Sequence, residues 1–242
     1  MHAFRSKVGC LLYLACGTRP DLAVAVNRSA RCMQQATRAD LAAADRTLRY
    51  VADTANFGLR YTPSKDPITL SAYIDSDWAR ESDRRSVGGL ATRLNKQALT
   101  HWRVSKQIVI AKSTAEAELM ALADHTDVVM CMRILLAELG LLQGATTVHE
   151  DNTAAISILN DTKYDGRTKH VDYRIKSVRE RVLARALEIS YISTDLQLAD
   201  LFTKPLPRAT HDRLAAVALN GGNIDLQSNR RKSRDLATIE EE

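Results

Sequence analysis

The chain has 242 residues, 45% of them apolar, which is enough to build one large globular domain or two small ones with ordinary cores. Its 34 Lys and Arg exceed its 29 Asp and Glu to give a formal net charge of +5, an excess that suits a polyanionic partner without requiring one. The opening His2-Ala3-Phe4-Arg5-Ser6-Lys7 lacks the apolar run of a signal peptide, and no stretch approaches the roughly 18 apolar residues of a membrane span. The expectation is therefore an intracellular protein, cytoplasmic or nuclear, with no membrane partner. Cys10, Cys16, Cys32 and Cys131 show no Cys-x-x-Cys spacing, which argues against a structural zinc site or a disulfide framework. Three of them sit in apolar, helix-like surroundings and are expected to be buried reduced thiols.

In chain order, apolar residues recur at helical spacing over residues 8–50, with a break at Gly17-Thr18-Arg19-Pro20, Asp21 opening a second helix and Thr37 capping a third. Residues 57–61 alternate like a strand, and the polar turn from Pro63 to Pro67 marks a domain boundary. Residues 1–64 thus read as a small helical unit and residues 65–219 as a second domain. The second domain opens with strands at 68–75, 87–94 and 98–104, the last two joined by the turn-like Asn95-Lys96-Gln97 as an antiparallel meander. A long helix at 113–139 follows, capped by Ser113 or Thr114 and stopped by Gly140. A short strand at 146–150 and a short helix at 152–159 then complete a crossover that should lay a parallel strand beside the first. A basic helix at 169–185, a strand at 187–192 and helices at 196–203 and 208–219 close the domain. Residues 220–242 are polar, with Arg230-Arg231-Lys232 before Glu240-Glu241-Glu242, and read as a disordered tail. The fold class is α/β: a five-stranded mixed sheet flanked by helices and preceded by the helical unit.

Four acids fall where strands end or helices turn toward one edge of that sheet. Asp75 ends the first strand, Glu118 lies one turn into the long helix, Asp151 follows the crossover strand and Asp200 lies in the helix after the last strand. Mg²⁺ is a hard ion that takes oxygen ligands, so carboxylates from separate elements can hold it without His or Cys. Two such ions roughly 3.5–4 Å apart can activate water and stabilise the leaving oxygen of a phosphodiester. Taken alone, Asp151 also fits a helix cap, Asp200 a solvated helix residue and Glu118 an ion pair across a helix turn. Asp77 shares the strand face of Asp75 by period two, so geometry leaves both open as the first ligand.

Several motifs in order carry a resemblance. Tyr73-Ile74-Asp75-Ser76-Asp77-Trp78-Ala79, Asp83-Arg84-Arg85-Ser86, Trp102 with Ser105-Lys106-Gln107, and Ser113-Thr114-Ala115-Glu116-Ala117-Glu118 are followed by Glu150-Asp151-Asn152, Arg167-Thr168-Lys169-His170-Val171-Asp172 and Gln197-Leu198-Ala199-Asp200-Leu201-Phe202-Thr203-Lys204-Pro205-Leu206. Together they resemble the ribonuclease H region of copia-type retrotransposon polyproteins. Gly9-Cys10-Leu11-Leu12-Tyr13-Leu14-Ala15, Thr18-Arg19-Pro20-Asp21-Leu22-Ala23 and Leu48-Arg49-Tyr50-Val51 resemble the segment joining the polymerase to that domain. The resemblance implies a ribonuclease H-like sheet and a quartet, Asp75, Glu118, Asp151 and Asp200, that is both catalytic and metal-binding, with Mg²⁺ or Mn²⁺ as two ions. It prefers Asp75 over Asp77, and Glu118, which directly precedes Leu119, over Glu116. It implies an RNA–DNA hybrid as substrate and a complete reverse transcriptase as partner. No Asp-Asp dipeptide, the mark of a polymerase catalytic turn, occurs in the chain, so a polyprotein fragment without polymerase is expected.

The basic helix supplies the candidate nucleic-acid contacts Lys169, His170, Lys176 and Arg179, although a mixed-sign helix is also an ordinary solvated face. Trp78 and Trp102 are expected to pack rather than stack on bases. The rival reading of the whole chain is a non-catalytic relic that keeps the fold, with or without affinity for nucleic acid. Cleavage of a labelled hybrid with metal present discriminates the two.

Overall fold

The computed structural model describes residues 2–161 and 169–223, with the side chains of residues 169–171 left aside. The expected sheet forms from β1 (Leu70–Asp77), β2 (Val87–Leu94), β3 (Leu99–Lys106), β4 (Thr146–Glu150) and β5 (Leu187–Tyr191) in the order β3-β2-β1-β4-β5. The first three strands are an antiparallel meander, and β4 and β5 add in parallel to β1. Asn95 and Lys96 both have positive φ, 49° and 56°, which gives the β2–β3 hairpin the right-handed twist its strands need.

The N-terminal helices are α1 (His2–Gly17), α2 (Ala23–Arg31) and α3 (Arg38–Asp53); α4 (Thr114–Glu138), α5 (Thr153–Asn160), α6 (Lys169–Leu183) and α7 (Arg208–Asn220) belong to the second half. One face of the sheet packs Ala72, Ile74, Leu90 and Val148 against Leu119, Leu122 and Val129 of α4 and Ile175 and Val178 of α6. The other face packs Tyr73, Ala91 and Leu99 against Leu198, Phe202, Leu214 and Val217, and reaches Ala23 of α2. The N-terminal helices are tied there by polar contacts too, Trp102 Nε1 donating to the Ala15 carbonyl at 2.7 Å and Arg31 pairing with Glu81 at 2.9 Å. Trp102 is thus a packing residue, as expected. Within the helical part, buried Arg19 forks onto Asp21 at 2.9 and 2.7 Å and also donates to the carbonyl and hydroxyl of Thr54, which locks the α1–α2 turn to the end of α3.

Three expectations change. Residues 57–61 form no strand: Arg60 N–H donates to the Leu219 carbonyl at 2.7 Å and Tyr61 Oη to that of Leu99 at 2.5 Å, so the segment satisfies its polar groups singly rather than in a ladder. The helix at 196–203 becomes two 3₁₀ turns, Thr194–Leu196 and Leu198–Phe202, interrupted at Gln197. That buried side chain donates to the Ile74 carbonyl at 2.9 Å and accepts from Ala199 N–H at 3.3 Å, fixing the second turn over β1. The cysteines are not fully buried: Cys10, Cys16 and Cys131 are exposed on their helices, and Cys32, which caps the end of α2, is half-buried against the Phe4–Val8–Ala44 cluster.

Gly89 sets how closely the 198–202 turn approaches. A Cβ there would stand 2.7 Å from Thr203 Cγ2 and 2.9 Å from both the Ala199 carbonyl oxygen and Phe202 Cβ. Gly89→Ala should lower unfolding stability by about 1–3 kcal/mol through overpacking, whereas Gly144→Ala, with nothing within 4 Å, should be close to neutral. Chemical denaturation of both variants checks this; equal midpoints would mean that the turn shifts without cost.

Candidate metal and nuclease site

Asp75 is buried near the carboxyl end of β1, opposite Gly89 in the register. The space above Gly89 is filled by Thr203, whose Oγ1 donates to Asp75 Oδ2 at 2.5 Å. Asp77, two residues on, instead pairs with Arg80 at 3.4 Å. Ser113 is the cap of α4, accepting from Glu116 N–H at 3.1 Å, while the Glu116 carboxylate accepts from Lys112 N–H at 2.8 Å. Glu116 is therefore a local terminus residue and Glu118, only 5% exposed, is the one carried inward. Asn152, not Asp151, caps α5 by accepting from Ala154 and Ala155 N–H at 3.0 and 3.1 Å. Asp151 is left to accept from Thr194 Oγ1 at 2.6 Å.

The structure brings carboxylate oxygens of Asp75, Glu118 and Asp151 within 4.8 Å of one another. Asp200 joins this group through Lys204, whose Nζ lies 2.7 Å from Asp200 Oδ1 and 3.8 Å from Asp75 Oδ2. Sequence reasoning assigned no role to Lys204 or to Glu150. Glu150 is fully buried beside the cluster, one oxygen accepting from Asn152 N–H at 3.0 Å and the other without a partner. The signal was available: the alternation of β4 puts Thr146, Val148 and Glu150 on one buried face.

Of the basic residues, Lys176 pairs with Asp172 at 2.7 Å, and Arg179 donates to the carbonyls of Leu159 at 3.0 Å and Ile158 at 2.6 Å. The side chains of Lys169 and His170 lie outside the described residues. Trp78 is 42% exposed, its Nε1 donating to the Ala111 carbonyl at 3.0 Å.

Crowding and burial shape the acidity of the group. Burial first, then Glu150, Asp75 and Asp151, hold the Glu118 carboxyl well above its ordinary range. Glu150 is raised by burial, with Asp75 and Asp151 adding to it and the Asn152 N–H opposing. Asp151 is raised by burial against the Thr194 hydroxyl. Burial and Asp75 push Asp200 up to about 8 in spite of Lys204. Burial pulls the Lys204 ammonium down, but Asp75 and Asp200 outweigh it and hold its proton more tightly than usual.

The residues fit a hard divalent cation. Their donors are all carboxylate oxygens, and Glu118 Oε2 is buried in the cluster with no hydrogen-bond partner, a cost that a cation would remove.

The strand order and parallel crossover, with an acidic cluster at the end of the first strand, define a ribonuclease H-like fold. None of the protein-family models matches the chain. Among known proteins, the retrovirus-related Pol polyprotein from transposon RE1 of Arabidopsis thaliana is 34% identical over 215 residues, which is 88% of this chain and 14% of that protein. The Pol polyprotein from transposon TNT 1-94 of Nicotiana tabacum is 35% identical over 85% of this chain and 15% of its own length. By sequence the chain is a homologue of these retrovirus-related transposon Pol polyproteins, and it spans about one seventh of their length. A solved structure of LC11-RNase H1 with RNA/DNA hybrid overlaps 56% of this chain and 94% of its own at a TM-score of 0.43 and 15% identity. No helix among the described residues is long and apolar enough to cross a membrane.

The raised carboxyls predict a pH dependence for the metal-free protein. Asp200 titrates near 8 when folded and near 3.8 when not, so between those values the folded state keeps a proton that the unfolded chain has released. Stability should be greatest below the lower value and fall as pH rises through the upper one, with Glu118 and Glu150 acting in the same direction. Asp200→Asn should flatten part of this fall. Denaturant midpoints at pH 5 and pH 8.5 in the presence of a chelator test it, and a parent protein more stable at the higher pH would refute it.

Proposed function

We propose that the chain is a metal-dependent ribonuclease H of copia-type retrotransposon origin, which cuts the RNA strand of an RNA–DNA hybrid. The observation that carries this is the convergence of Asp75, Glu118 and Asp151 from three separate elements to within 4.8 Å, with Asp200 alongside. Homology to transposon Pol polyproteins supports the reading. Asp75, Glu118, Asp151 and Asp200 would hold Mg²⁺ or Mn²⁺, two ions in the proposed scheme. When bound, such ions lower the pKa of a water and stabilise charge on the leaving oxygen.

The chain's own residues set up that chemistry. Thr203 holds the Asp75 carboxylate by a hydrogen bond to Oδ2, and Thr194 holds that of Asp151 in the same way. Glu118 arrives from α4 with a free oxygen already desolvated. Because these groups are preset by packing, little reorganisation is needed on binding. The α6 basic residues Lys176 and Arg179, with Lys169 and His170, are proposed to meet hybrid phosphates. A complete reverse transcriptase is the proposed partner.

Cleavage of a labelled RNA–DNA hybrid with Mg²⁺ or Mn²⁺ tests the activity. Asp75→Asn and Asp151→Asn keep shape and remove a charged ligand, so each should lower cleavage by at least 10²-fold while folding at least as stably as the parent without metal. Full cleavage by Asp151→Asn, with the metal-induced rise in melting temperature intact, would return Asp151 to an ordinary loop acid.

The two α6 residues should separate. Lys176→Ala should reduce the salt slope of hybrid binding by about one with little effect on stability, whereas Arg179→Ala should lower the slope and in addition destabilise the α5–α6 junction by about 1–3 kcal/mol, because it strips donors from the carbonyls of Ile158 and Leu159. Binding isotherms at several salt concentrations and a thermal melt distinguish these; an unchanged slope in Lys176→Ala would place that residue away from the nucleic acid.

A further inference from the structure

We infer that Lys204 is a built-in counter-ion of the Asp75–Asp200 pair, which holds the two carboxylates together before metal arrives and must leave for a cation to occupy the space between them. The inference rests on the metal-site reading above and adds a competitor that sets how readily the site loads.

The geometry is specific. Lys204 Nζ contacts Asp200 Oδ1 at 2.7 Å and stands 3.8 Å from Asp75 Oδ2, so a single ammonium is shared by two carboxylates from different parts of the fold. Both acids are almost fully buried, at 3% and 5% exposure. Among the described residues no other Lys, Arg or His forms an ion pair with Asp75, Glu118, Glu150, Asp151 or Asp200. The backbone directs the side chain there. The 3₁₀ turn ends at Phe202, the Lys204 N–H still donates to the Asp200 carbonyl at 3.4 Å, and Pro205 disfavours helical continuation, which leaves Lys204 one turn from Asp200. Thr203 at the same turn donates to Asp75, so consecutive residues supply a hydroxyl and an ammonium to one carboxylate.

Two buried carboxyls cannot both ionise cheaply without a cation between them, and a point charge on a flexible four-carbon stem favours their ionised forms without a fixed coordination geometry. The Lys204 side chain remains 26% exposed, which leaves it a path outward. Loading the Asp75–Asp200 gap then exchanges one cation for another. The ammonium gains water as the divalent ion loses it, and the apparent affinity is lower than the carboxylates alone would give. Lys204 acts through the carboxylates and is in this sense a positioning residue.

Two measurements test it without relying on cleavage. In the first, melting temperature is followed against Mg²⁺ concentration, and against Ca²⁺, for the parent, Lys204→Arg and Lys204→Met. Lys204→Met should melt lower than the parent in chelator and reach half its metal-induced rise at about tenfold less Mg²⁺, while Lys204→Arg should stay near the parent in chelator. If Lys204→Met fails to fold without metal, Lys204→Gln is titrated instead, with the same leftward shift expected. In the second, the unmodified protein is treated with an amine-acetylating reagent and Lys204 modification is read by mass spectrometry. The rate at Lys204 should rise several-fold on adding Mg²⁺ while Lys7 and Lys65 stay constant. A metal response in the parent with an unchanged midpoint in the variants, or Lys204 acetylation indifferent to Mg²⁺, overturns the counter-ion role alone. No metal response in any of the proteins overturns the metal-site reading and this inference with it.

Discussion

The arrangement of the whole second half follows from one constraint, that several carboxylates must be held close together at a sheet edge with most of their hydration removed. Asp75, Glu118, Glu150 and Asp200 are each 5% exposed or less, and among the described residues no arginine forms an ion pair with any of them. Rigid elements oppose their mutual repulsion. Asp75 is fixed by pairing opposite Gly89 of β2 and by the Thr203 hydroxyl, Glu118 by the N-terminal part of α4, and Glu150 by a strand that is itself held between β1 and β5, with Asp151 directly after it. Such a cluster is costly without a cation, and a bound cation would offset that cost.

Small residues and single hydrogen bonds then bring the last acid into place. Asp200 lies on no regular helix; it rides on a 3₁₀ turn that can approach β2 only because Gly89 has no side chain. Gln197 pins the start of that turn to the Ile74 carbonyl, and Thr203 pins its end to Asp75. The same face of the sheet receives α7 and the N-terminal helices, so Trp102 and Ala23 link the helical segment to the surface on which the turn rests. A change in the packing of the N-terminal helices would therefore reach Asp200 through Phe202 and Leu198, which share one apolar cluster with Ala23.

Much of this was legible in the residues. Strand alternation and the Asn95-Lys96 turn located the meander, Gly140 with φ of 78° stopped α4, and the spacing of acids relative to element ends pointed to four of the clustered carboxylates. The signals that failed were those in which local pattern competes with long-range satisfaction. Residues 57–61 alternate like a strand, yet their partners are distant in sequence and are met singly: the Arg60 N–H reaches the Leu219 carbonyl in α7, and only the Tyr61 hydroxyl, not its backbone, reaches the Leu99 carbonyl of β3. Gln197 reads as an ordinary helix residue until the Ile74 carbonyl claims it. Apolar neighbours of Cys10, Cys16 and Cys131 suggested burial, but a helix buries a stripe, and those positions fall on its other side.

By itself the sequence determined most of the element types, because period and capping chemistry act within a few residues, and the order of the motifs that carry the resemblance. Only the tertiary structure decided which acids share a site and which cation stands among them. Asp77 and Glu116 are as acidic as their neighbours, and what separates them is where Arg80 and Ser113 draw the local backbone and side chains. Glu150 and Lys204 belong to the cluster because a parallel crossover lays β4 beside β1 and a proline turns the chain after Thr203. Electrostatic coupling depends on distance through space, and residues 75, 118, 150 and 204 become neighbours only when the sheet closes.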